Sequence, residues 1–474
     1  MIDYELMPHQ KEAVAKSIVM RDLFLAFEVG TGKTPATINI LRQKYAARGE
    51  LVNTLILCPL IVTHNWKKEF LKFSNLNAKC IEVLDGPIKN RIKKIKSLHG
   101  PRVLITNYDS FSNQDLVRSI IEWCPRILVC DESHQLKNPK SIRAKNVLKI
   151  ADKCEHRYML TGTPILNNAM DLFMQYRIMD GGETFGHNFF AFRHLFFEDA
   201  NAQWQGKKGY FPNWQARPKS HMKLNELINK KTLRVLKSDV LKDLPPLVRE
   251  EVLVELSAEQ KRLYNQMKRD FVAFVEAKLK TEPRASVARL ALTKSLRMQE
   301  IISGFITLED GTRYRIRENP RLDKLRELLV DLTPRHKVIV WANFRENYAQ
   351  IRELCEAIGV GYREIHGDIT AKEKFKSQDD FNNLDEVRVL CGNPQAGGVG
   401  INLIASDYSI YFTRDFKLSS DLQSEARNHR KGSEIHDKIT RVDIIAPNTI
   451  DELILKALLE KGSISEAIID NLHI

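Results

Sequence analysis

The chain has 474 residues, of which 43% are hydrophobic and 28% are charged, and its formal net charge is +13. This composition excludes a disordered or collagen-like chain and indicates a globular protein of about two to four domains. No apolar run approaches the roughly 18 residues that cross a bilayer, and the N-terminus lacks a signal-peptide pattern, so we expect no membrane segment. The seven cysteines form no C-x-x-C pair, which argues against a zinc module or a disulfide framework and favours a reducing compartment.

Short apolar runs alternate with amphipathic helical patterns through the first third of the chain. Pro8–Val19 and Ala36–Tyr45 are typical of the helical stretches. The apolar runs are too short for helices and predict buried strands at Asp22–Ala26, Thr54–Cys58, Val103–Thr106, Ile127–Cys130 and Tyr158–Leu160. Alternation of strands and helices predicts a parallel sheet with helices on both faces.

A glycine-rich turn, Gly30-Thr31-Gly32-Lys33-Thr34, lies between the first predicted strand and the next helix. In this setting, backbone N–H groups and the helix N-terminus can hold phosphate oxygens. We expect Lys33 to reach the β- and γ-phosphates of a nucleotide and the Thr34 hydroxyl to bind Mg²⁺. The strict form of the motif has glycine where this chain has Phe27, and a chance glycine-rich turn is the alternative.

Two acids, Asp131 and Glu132, follow the predicted strand Ile127–Cys130. Side chains at the carboxyl ends of parallel strands lie at one edge of the sheet, close to a phosphate-binding loop. We expect Asp131 to hold Mg²⁺ and Glu132 to orient or deprotonate the attacking water. Taken alone, the two acids fit a solvated turn or the cap of a helix equally well.

Residues 171–320 show a different pattern, with long helical periodicities at Ala258–Lys280 and Ala285–Ile301. Two short strands are predicted at Glu251–Leu256 and Gly304–Leu308. Residues 201–320 contain 24 Lys and Arg against 14 Asp and Glu, so +10 of the net charge of +13 lies there. This charge indicates a polyanionic partner, while helices with solvated Lys and Arg faces are the alternative.

The strand–helix alternation returns after Pro320. Five further strands are predicted at Lys337–Trp341, Tyr362–Ile365, Val387–Leu390, Tyr408–Phe412 and Arg441–Ile445. We therefore predict an α/β protein with two parallel-sheet lobes, residues 1–170 and 321–474, and a basic helical insertion and linker over residues 171–320.

An ordered set of motifs extends over nearly the whole chain and resembles one family. In the first half these are Leu6–Gln10, Glu28–Thr34, Leu57–Pro59 with Asn65–Phe70, Ile105–Tyr108, Asp131–His134 with Lys137-Asn138, and Leu160–Pro164 with Asn167. In the second half they are Val338–Trp341, His366-Gly367, Gly397–Leu403, and Gln423 with Arg427 and Arg430. The chain resembles the superfamily 2 helicase-like ATPases, specifically the Swi/Snf family of double-stranded DNA translocases.

The resemblance implies two RecA-like, doubly wound lobes with a helical insertion, and it assigns roles to residues in the motifs. Gln10 would recognise adenine, and Gly30, Thr31, Gly32, Lys33, Thr34 and Gly400 would contact the nucleotide. Thr161 and Thr163 would couple hydrolysis to movement. Arg427 and Arg430 would reach the γ-phosphate, although their spacing alone fits a pair of surface residues on a helix.

The resemblance also implies a DNA-binding track formed by loops at the sheet edges of both lobes. The hydroxyl, amide and backbone N–H groups of these loops suit phosphate contacts. Binding should therefore be largely independent of base sequence and sensitive to salt. Lys207, Lys208 and Arg217 belong to a basic, aromatic-rich segment that we expect to form a wall beside this track. The remaining candidates are Pro59, Asn65, Trp66, Thr106, Asn107, Asn343, Arg345, His366, Asn393 and Gln395.

The motifs together predict a motor that uses ATP and Mg²⁺ to move along DNA, with duplex DNA favoured. We expect a compact monomer in the cytoplasm of a bacterium or of a phage- or virus-infected cell. A strand-separating DNA or RNA helicase would have the same ATPase core, and a nucleotide-gated DNA clamp with vestigial hydrolysis is a second alternative. A restriction-type motor subunit is disfavoured because no residues remain for a nuclease or methylase domain.

Overall fold

The computed structural model describes residues 5–162, 164–165, 169–205, 212, 214–217, 220–279, 294–308, 310–395 and 401–470. The contacts among these residues divide the chain into two units. Unit 1 takes its residues from 1–199, 214–242 and 463–474, and unit 2 takes its residues from 200–213 and 243–462.

The strands of unit 1 are β1 Asp22–Phe27, β2 Thr54–Cys58, β3 Ile81–Val83, β4 Val103–Asn107, β5 Ile127–Asp131, β6 His156–Leu160, β7 Phe197–Asp199, β8 Trp214–Ala216 and β9 Thr232–Val235. Its helices are α1 Pro8–Val19, α2 Lys33–Arg48, α3 Thr63–Phe73, α4 Ile88–Lys96, α5 Gln114–Trp123, α6 Ile142–Ala151, α7 Leu172–Asp180, α8 Phe189–Phe196, α9 His221–Asn229 and α10 Lys237–Val240. Seven strands form a parallel sheet in the order β3-β4-β2-β5-β6-β1-β9, and β7 pairs with β8 in antiparallel fashion.

The central strands of this sheet are apolar through most of their length because both of its faces are covered. Every residue of β1, β2 and β4 is buried. A parallel sheet with helices on both faces requires this, since no strand residue faces water. The order of the strands brings the carboxyl ends of β1, β6, β5 and β2 next to each other, and the candidate nucleotide site lies at this edge.

The strands of unit 2 are β10 Leu247–Leu253, β11 Phe305–Thr307, β12 Arg313–Arg315, β13 Val338–Trp341, β14 Gly361–Ile365, β15 Val387–Gly392, β16 Tyr408–Tyr411 and β17 Ile439–Ile445. Its helices are α11 Ala258–Leu279, α12 over 294–302, α13 Pro320–Leu332, α14 Arg345–Ala357, α15 Ala371–Asn383 and α16 Leu418–Glu425, and α17 Ile450–Asp470 follows. Six strands form a parallel sheet in the order β10-β17-β16-β13-β15-β14, and β11 pairs with β12 in antiparallel fashion.

Strand β13 shows how both faces of the second sheet are covered. Its residues alternate between two hydrophobic clusters, with Val338 and Val340 in one and Ile339 and Trp341 in the other. Successive side chains of a strand point to opposite faces, so a strand between two cores must be apolar at every position. The run Val-Ile-Val-Trp meets this requirement.

The prediction of an α/β protein with two parallel-sheet lobes is confirmed. Residues 171–320 supply an edge strand to each sheet, because β9 pairs with β1 and β10 pairs with β17. The division of the chain into 1–170, 171–320 and 321–474 stays a prediction. Among the described residues, no helix has both the length and the apolar character needed to span a membrane.

Candidate nucleotide site and nucleic-acid interface

The glycine-rich turn joins the end of β1 to the start of α2. Gly30 and Gly32 adopt φ angles of +94° and +85°, in the left-handed region that glycine enters without steric cost. These angles let the chain turn sharply between Phe27 and Lys33, so that the N-terminus of α2 opens onto the carboxyl edge of the sheet. Free N–H groups at a helix N-terminus favour bound anions.

Hydrogen bonds within the turn hold its shape. The Lys33 Nζ donates to the backbone oxygen of Phe27 at 2.9 Å, and the Thr31 hydroxyl donates to the backbone oxygen of Glu28 at 2.8 Å. The Glu28 carboxylate accepts a hydrogen bond at 2.7 Å from the backbone N–H of Lys237, where α10 begins. Thr34 is half-buried in the first turn of α2, next to Lys33. The predicted phosphate-contacting residues 30–34 are therefore contiguous and ordered.

Helix α1 contacts the turn through its second and third residues. The Gln10 side chain is 1% exposed; its Oε1 accepts the Met7 N–H at 2.9 Å and its Nε2 donates to the Gly32 oxygen at 3.3 Å. The His9 Nε2 lies 2.7 Å from the backbone oxygen of Thr31. The structure thus brings Gln10 to the turn, as the motif order predicted, while its recognition of adenine stays a prediction.

Gly32→Ala is expected to weaken nucleotide binding. A Cβ at this position would lie 2.1 Å from Gln10 Nε2, and φ at Gly32 is +85°. Relief of this clash must displace the buried Gln10 side chain from the turn, so we expect about a tenfold loss of affinity for a fluorescent ADP analogue. Gly49→Ala is the matched control, because φ is +71° there and nothing lies within 4 Å of the added Cβ. Equal nucleotide affinity in the two variants would contradict this prediction.

The two predicted acids lie at the end of β5. The Asp131 Oδ2 accepts a hydrogen bond from the Trp66 indole at 2.9 Å, and Oδ1 accepts the Glu132 N–H at 3.0 Å. Glu132 has φ +53°, an uncommon value for a residue other than glycine. Backbone conformations of this kind cluster at functional sites, where the surrounding structure maintains them.

The two carboxyl groups differ in their tendency to ionise. Burial and the neighbouring Glu132 carboxylate raise the pKa of Asp131 to about 6. Burial opposes ionisation of Glu132 as well, but the hydrogen bond from His134, the charge of Lys33 and the Thr161 hydroxyl outweigh it and lower the pKa of Glu132 to about 2. Glu132 therefore ionises at lower pH than Asp131, and it is fully ionised at neutral pH.

Thr161, a predicted coupling residue, joins the acids to the next strand. Its hydroxyl donates to Glu132 Oε2 at 3.3 Å and lies 3.1 Å from His134 Nδ1, which is itself 3.3 Å from the same carboxylate oxygen. Thr163, the second coupling residue, lies outside the described residues. The sequence analysis gave His134 no role, although its position two residues after Glu132 was a signal that could have identified it.

The predicted arginines of unit 2 follow α16. This helix ends at Glu425, so Arg427 and Arg430 lie in a turn, and the inference from spacing that they share a helix is wrong. Arg427 is 4% exposed, and its Nη1 donates to the backbone oxygen of Ile401 at 3.2 Å. Arg430 is half-buried, and Gly400 lies outside the described residues.

Five of the ten candidates for the DNA track, apart from the basic segment, belong to unit 1, and three of these five are buried. Trp66, Thr106 and Asn107 are 2%, 0% and 6% exposed. The buried Arg91 donates to Asn107 Oδ1 at 2.8 Å and to the Thr106 hydroxyl at 3.3 Å, and the sequence analysis did not identify it. Pro59 and Asn65 are half-buried. Contacts of DNA with any of these side chains stay predictions.

The five candidates of unit 2 come together at one edge of its sheet. The His366 ring stacks on the Tyr348 ring with centroids 4.8 Å apart, and Asn393 Nδ2 donates to the Tyr348 hydroxyl at 3.1 Å. Arg345 forms an ion pair with Asp368, and the Lys417 Nζ donates to Gln395 Oε1 at 2.9 Å. The residues follow the carboxyl ends of β13, β14 and β15; they are Asn343, Arg345, His366, Asn393 and Gln395.

The basic segment predicted beside this track is described only in part. Lys207 and Lys208 lie outside the described residues. Arg217 is exposed, and its Nε donates to the backbone oxygen of Phe197 at 3.1 Å.

Comparison with protein families identifies two matches in succession along the chain. A family model described as the SNF2-related domain matches residues 9–303, and one described as the helicase conserved C-terminal domain matches residues 320–432. The first match includes the glycine-rich turn and both acids of unit 1. The second includes the arginine turn of unit 2.

Two curated proteins illustrate the similarity. The chromodomain-helicase-DNA-binding protein 1-like of Danio rerio is 28% identical over 480 residues, which cover 98% of this chain and 44% of that protein. An uncharacterized ATP-dependent helicase, MG018 of Mycoplasma genitalium, is 27% identical over 468 residues, which cover 96% of this chain and 41% of that protein. The chain therefore spans less than half the length of these relatives.

Among solved structures, the Sulfolobus solfataricus SWI2/SNF2 ATPase core in complex with dsDNA aligns with this chain. The TM-score is 0.46 at 23% identity, and the alignment covers 99% of this chain and 94% of that one.

Proposed function

Because the chain belongs to the SNF2-related domain family and carries a helicase conserved C-terminal domain, we propose that it hydrolyses ATP in order to move along DNA. The observation that supports this most is the arrangement at the carboxyl edge of the unit 1 sheet. There the Lys33 turn, the ionised Glu132 and the Thr161 hydroxyl directly follow the adjacent strands β1, β5 and β6.

The residues of unit 1 suit hydrolysis of a phosphoanhydride bond. The N–H groups of the turn and the Lys33 ammonium would hold and neutralise the phosphates. Glu132, ionised and hydrogen-bonded to Thr161, would orient the attacking water and accept its proton. Thr161, directly after β6, donates a hydrogen bond to this carboxylate, so a movement of β6 would change the position of Glu132.

Mg²⁺ is the cation that fits these residues. Asp131 supplies a carboxylate and Thr34 a hydroxyl, and Mg²⁺ is usually held by one or two such oxygen ligands together with substrate phosphates. A divalent cation beside the buried Asp131 would favour its ionised form, in opposition to the effect of burial on its pKa. Bound there, Mg²⁺ would neutralise charge that develops on the phosphates.

Unit 2 carries the remaining candidate residues for the nucleotide and for DNA. We assign Arg427 and Arg430 to the γ-phosphate and Gly400 to the nucleotide by their positions in the helicase C-terminal match. The polar edge formed by His366, Asn393 and neighbouring residues suits phosphate contacts, which carry no base information. Lys207, Lys208 and Arg217 would add sequence-independent, salt-sensitive affinity.

The expected ligand is duplex DNA, and stimulation of ATP hydrolysis tests this. With duplex DNA, single-stranded DNA and RNA of equal length, we expect the duplex to give the greatest stimulation. Displacement of a triplex-forming strand without separation of a fork would indicate translocation. We expect a monomer that acts in the cytoplasm of a bacterial or virus-infected cell, and sedimentation with and without DNA would test the monomeric state.

A strand-separating DNA or RNA helicase is the second candidate. The observation in its favour is that a helicase would use the same glycine-rich turn and the same two acids to hydrolyse ATP. The ATP site therefore does not distinguish a helicase from a translocase. Strong fork unwinding, or greater stimulation by RNA than by duplex DNA, would favour the helicase. A rate that stays at the basal level with every nucleic acid would instead favour a nucleotide-gated clamp.

A further inference from the structure

A hydrogen bond joins helix α3 to the predicted magnesium ligand. The Trp66 Nε1–H donates to Asp131 Oδ2 at 2.9 Å, across 65 positions of sequence. Trp66 is 2% exposed, so its ring is not available for stacking on a nucleic-acid base. This contact is unexplained by the assignment of Trp66 to the DNA track.

The indole completes the set of hydrogen bonds that orients Asp131. The carboxylate oxygen Oδ1 accepts the Glu132 N–H at 3.0 Å, and the backbone oxygen of Asp131 accepts the Tyr108 hydroxyl at 2.6 Å. Each carboxylate oxygen has two lone-pair directions, so each keeps one for another partner after these bonds are made. Without the indole, only the hydrogen bond to Oδ1 would restrain rotation of the Asp131 side chain about its Cα–Cβ and Cβ–Cγ bonds.

The same helix lies next to predicted DNA contacts. Asn65 precedes Trp66 on α3, and Pro59 lies between β2 and α3. The helix packs against β3 and β4 and against α2, which itself begins at Lys33. A shift of α3 would therefore reach Asp131 through the indole.

We propose that Trp66 is a positioning residue that orients the Asp131 carboxylate for a divalent cation and links α3 to the nucleotide site. This inference rests on the proposed function and deepens it. Groups that hydrogen-bond to metal ligands fix the orientation of those ligands, and their loss typically lowers metal affinity by about 10–100-fold. A role in direct DNA binding would instead predict reduced DNA affinity with the cation requirement unchanged.

Trp66→Phe separates these roles, because it keeps an apolar ring and removes the N–H donor. Binding of a fluorescent ADP analogue is measured while MgCl₂ is titrated, and duplex DNA affinity is measured by anisotropy. We expect the half-saturating MgCl₂ concentration to rise about tenfold. Nucleotide binding in EDTA and duplex DNA affinity should both stay within about twofold of the original protein.

Trp341→Phe is the matched control for loss of a buried indole. Trp341 is 0% exposed, and within the described part of the chain its Nε1 has no hydrogen-bond partner, so only packing changes. We expect its MgCl₂ dependence to match that of the original protein. An unchanged MgCl₂ requirement in Trp66→Phe, or a loss of DNA affinity in its place, would overturn the inference.

A second measurement needs no variant at position 66. The indole ¹H–¹⁵N resonance of Trp66, assigned by substitution of the other tryptophans, should shift when ADP and MgCl₂ are added and stay in place with ADP and EDTA. The absence of a magnesium-dependent shift would overturn the inference. Failure of the unsubstituted chain to bind the nucleotide at all would overturn the proposed function, and this inference with it.

Discussion

Glu132→Gln is expected to lower the DNA-stimulated rate of ATP hydrolysis by about 10²–10⁴-fold, the usual contribution of a positioned general base. Burial acts against ionisation of this carboxyl group, yet the His134 hydrogen bond and the charge of Lys33 lower the pKa of Glu132 to about 2. Glutamine has nearly the same size and keeps an oxygen that accepts the Thr161 hydroxyl. It cannot accept a proton from water, so the loss should appear in kcat and spare nucleotide affinity.

Lys33→Ala is expected to give a different kinetic result from Glu132→Gln. Removal of the ammonium group takes away charge that would lie against the phosphates, so both turnover and nucleotide affinity should fall. Duplex DNA affinity should be unchanged in both variants. Glu198→Gln is the matched control for Glu132→Gln, because it makes the same change at an exposed carboxylate of the same unit. DNA-stimulated hydrolysis that survives in both Lys33→Ala and Glu132→Gln would refute the proposed function.

Arg441→Met is expected to lower the free energy of unfolding of unit 2 by about 3–5 kcal/mol, the usual cost of breaking a buried ion pair. Arg441 is 4% exposed on β17; its Nη2 donates to Asp421 at 2.8 Å and its Nη1 pairs with Glu425. The guanidinium also lies 4.2 Å from the centre of the Tyr411 ring. Methionine fills similar volume but leaves the carboxylates of Asp421 and Glu425 on α16 without the guanidinium partner.

The exposed Arg249 gives the matched control for Arg441. It donates to the same Glu425 carboxylate at 2.9 Å, but its side chain is 61% exposed. Exposed ion pairs contribute about 0–1 kcal/mol, so Arg249→Met should change stability little. Urea unfolding with hydrogen exchange at β16 and β17 would measure both variants. Equal stability losses in the two variants would contradict the proposed importance of the buried cluster.

The arginine turn gives the Arg441 prediction a functional consequence. Arg427 lies two residues after Glu425, so the ion pairs of Arg441 hold the helix from which the turn continues. We therefore expect ATP hydrolysis by Arg441→Met to fall even under conditions where the variant is fully folded. Arg441→Lys keeps the charge without the planar fork and should recover stability only in part.

The central strands and the phosphate turn were predictable because they depend on local sequence. A strand buried on both faces is apolar at nearly every position, as Leu55–Cys58 is, and such runs are easily recognised in the sequence. Positive φ angles at Gly30 and Gly32 are conformations that favour glycine, so the turn is marked by its residue types. The acids were located by the same logic, since they directly follow an apolar run.

The edge strands of the first sheet were harder to predict, for a physical reason. β3 has only three residues with Glu82 at its centre, and β9 alternates apolar and half-buried residues beside a helical stretch. An edge strand has one neighbouring strand and partial access to water, so its sequence is less apolar. Their positions at the ends of the first sheet depend on long-range pairing, which composition and periodicity do not reveal.

The sequence by itself determined the central strands of both sheets, the glycine-rich turn and the two acids, because each depends on neighbours along the chain. The tertiary structure decided which distant side chains meet. Trp66 reads equally well as a DNA contact or a core residue, and only the packing of α3 against β3, β4 and α2 brings its indole to Asp131. Arg441 reads as one polar residue of a mostly apolar strand, and its partners Asp421 and Glu425 come from α16, about 20 residues earlier. Such pairs depend on sheet order and helix packing, which are set by the burial of all apolar surfaces together and not by any local pattern.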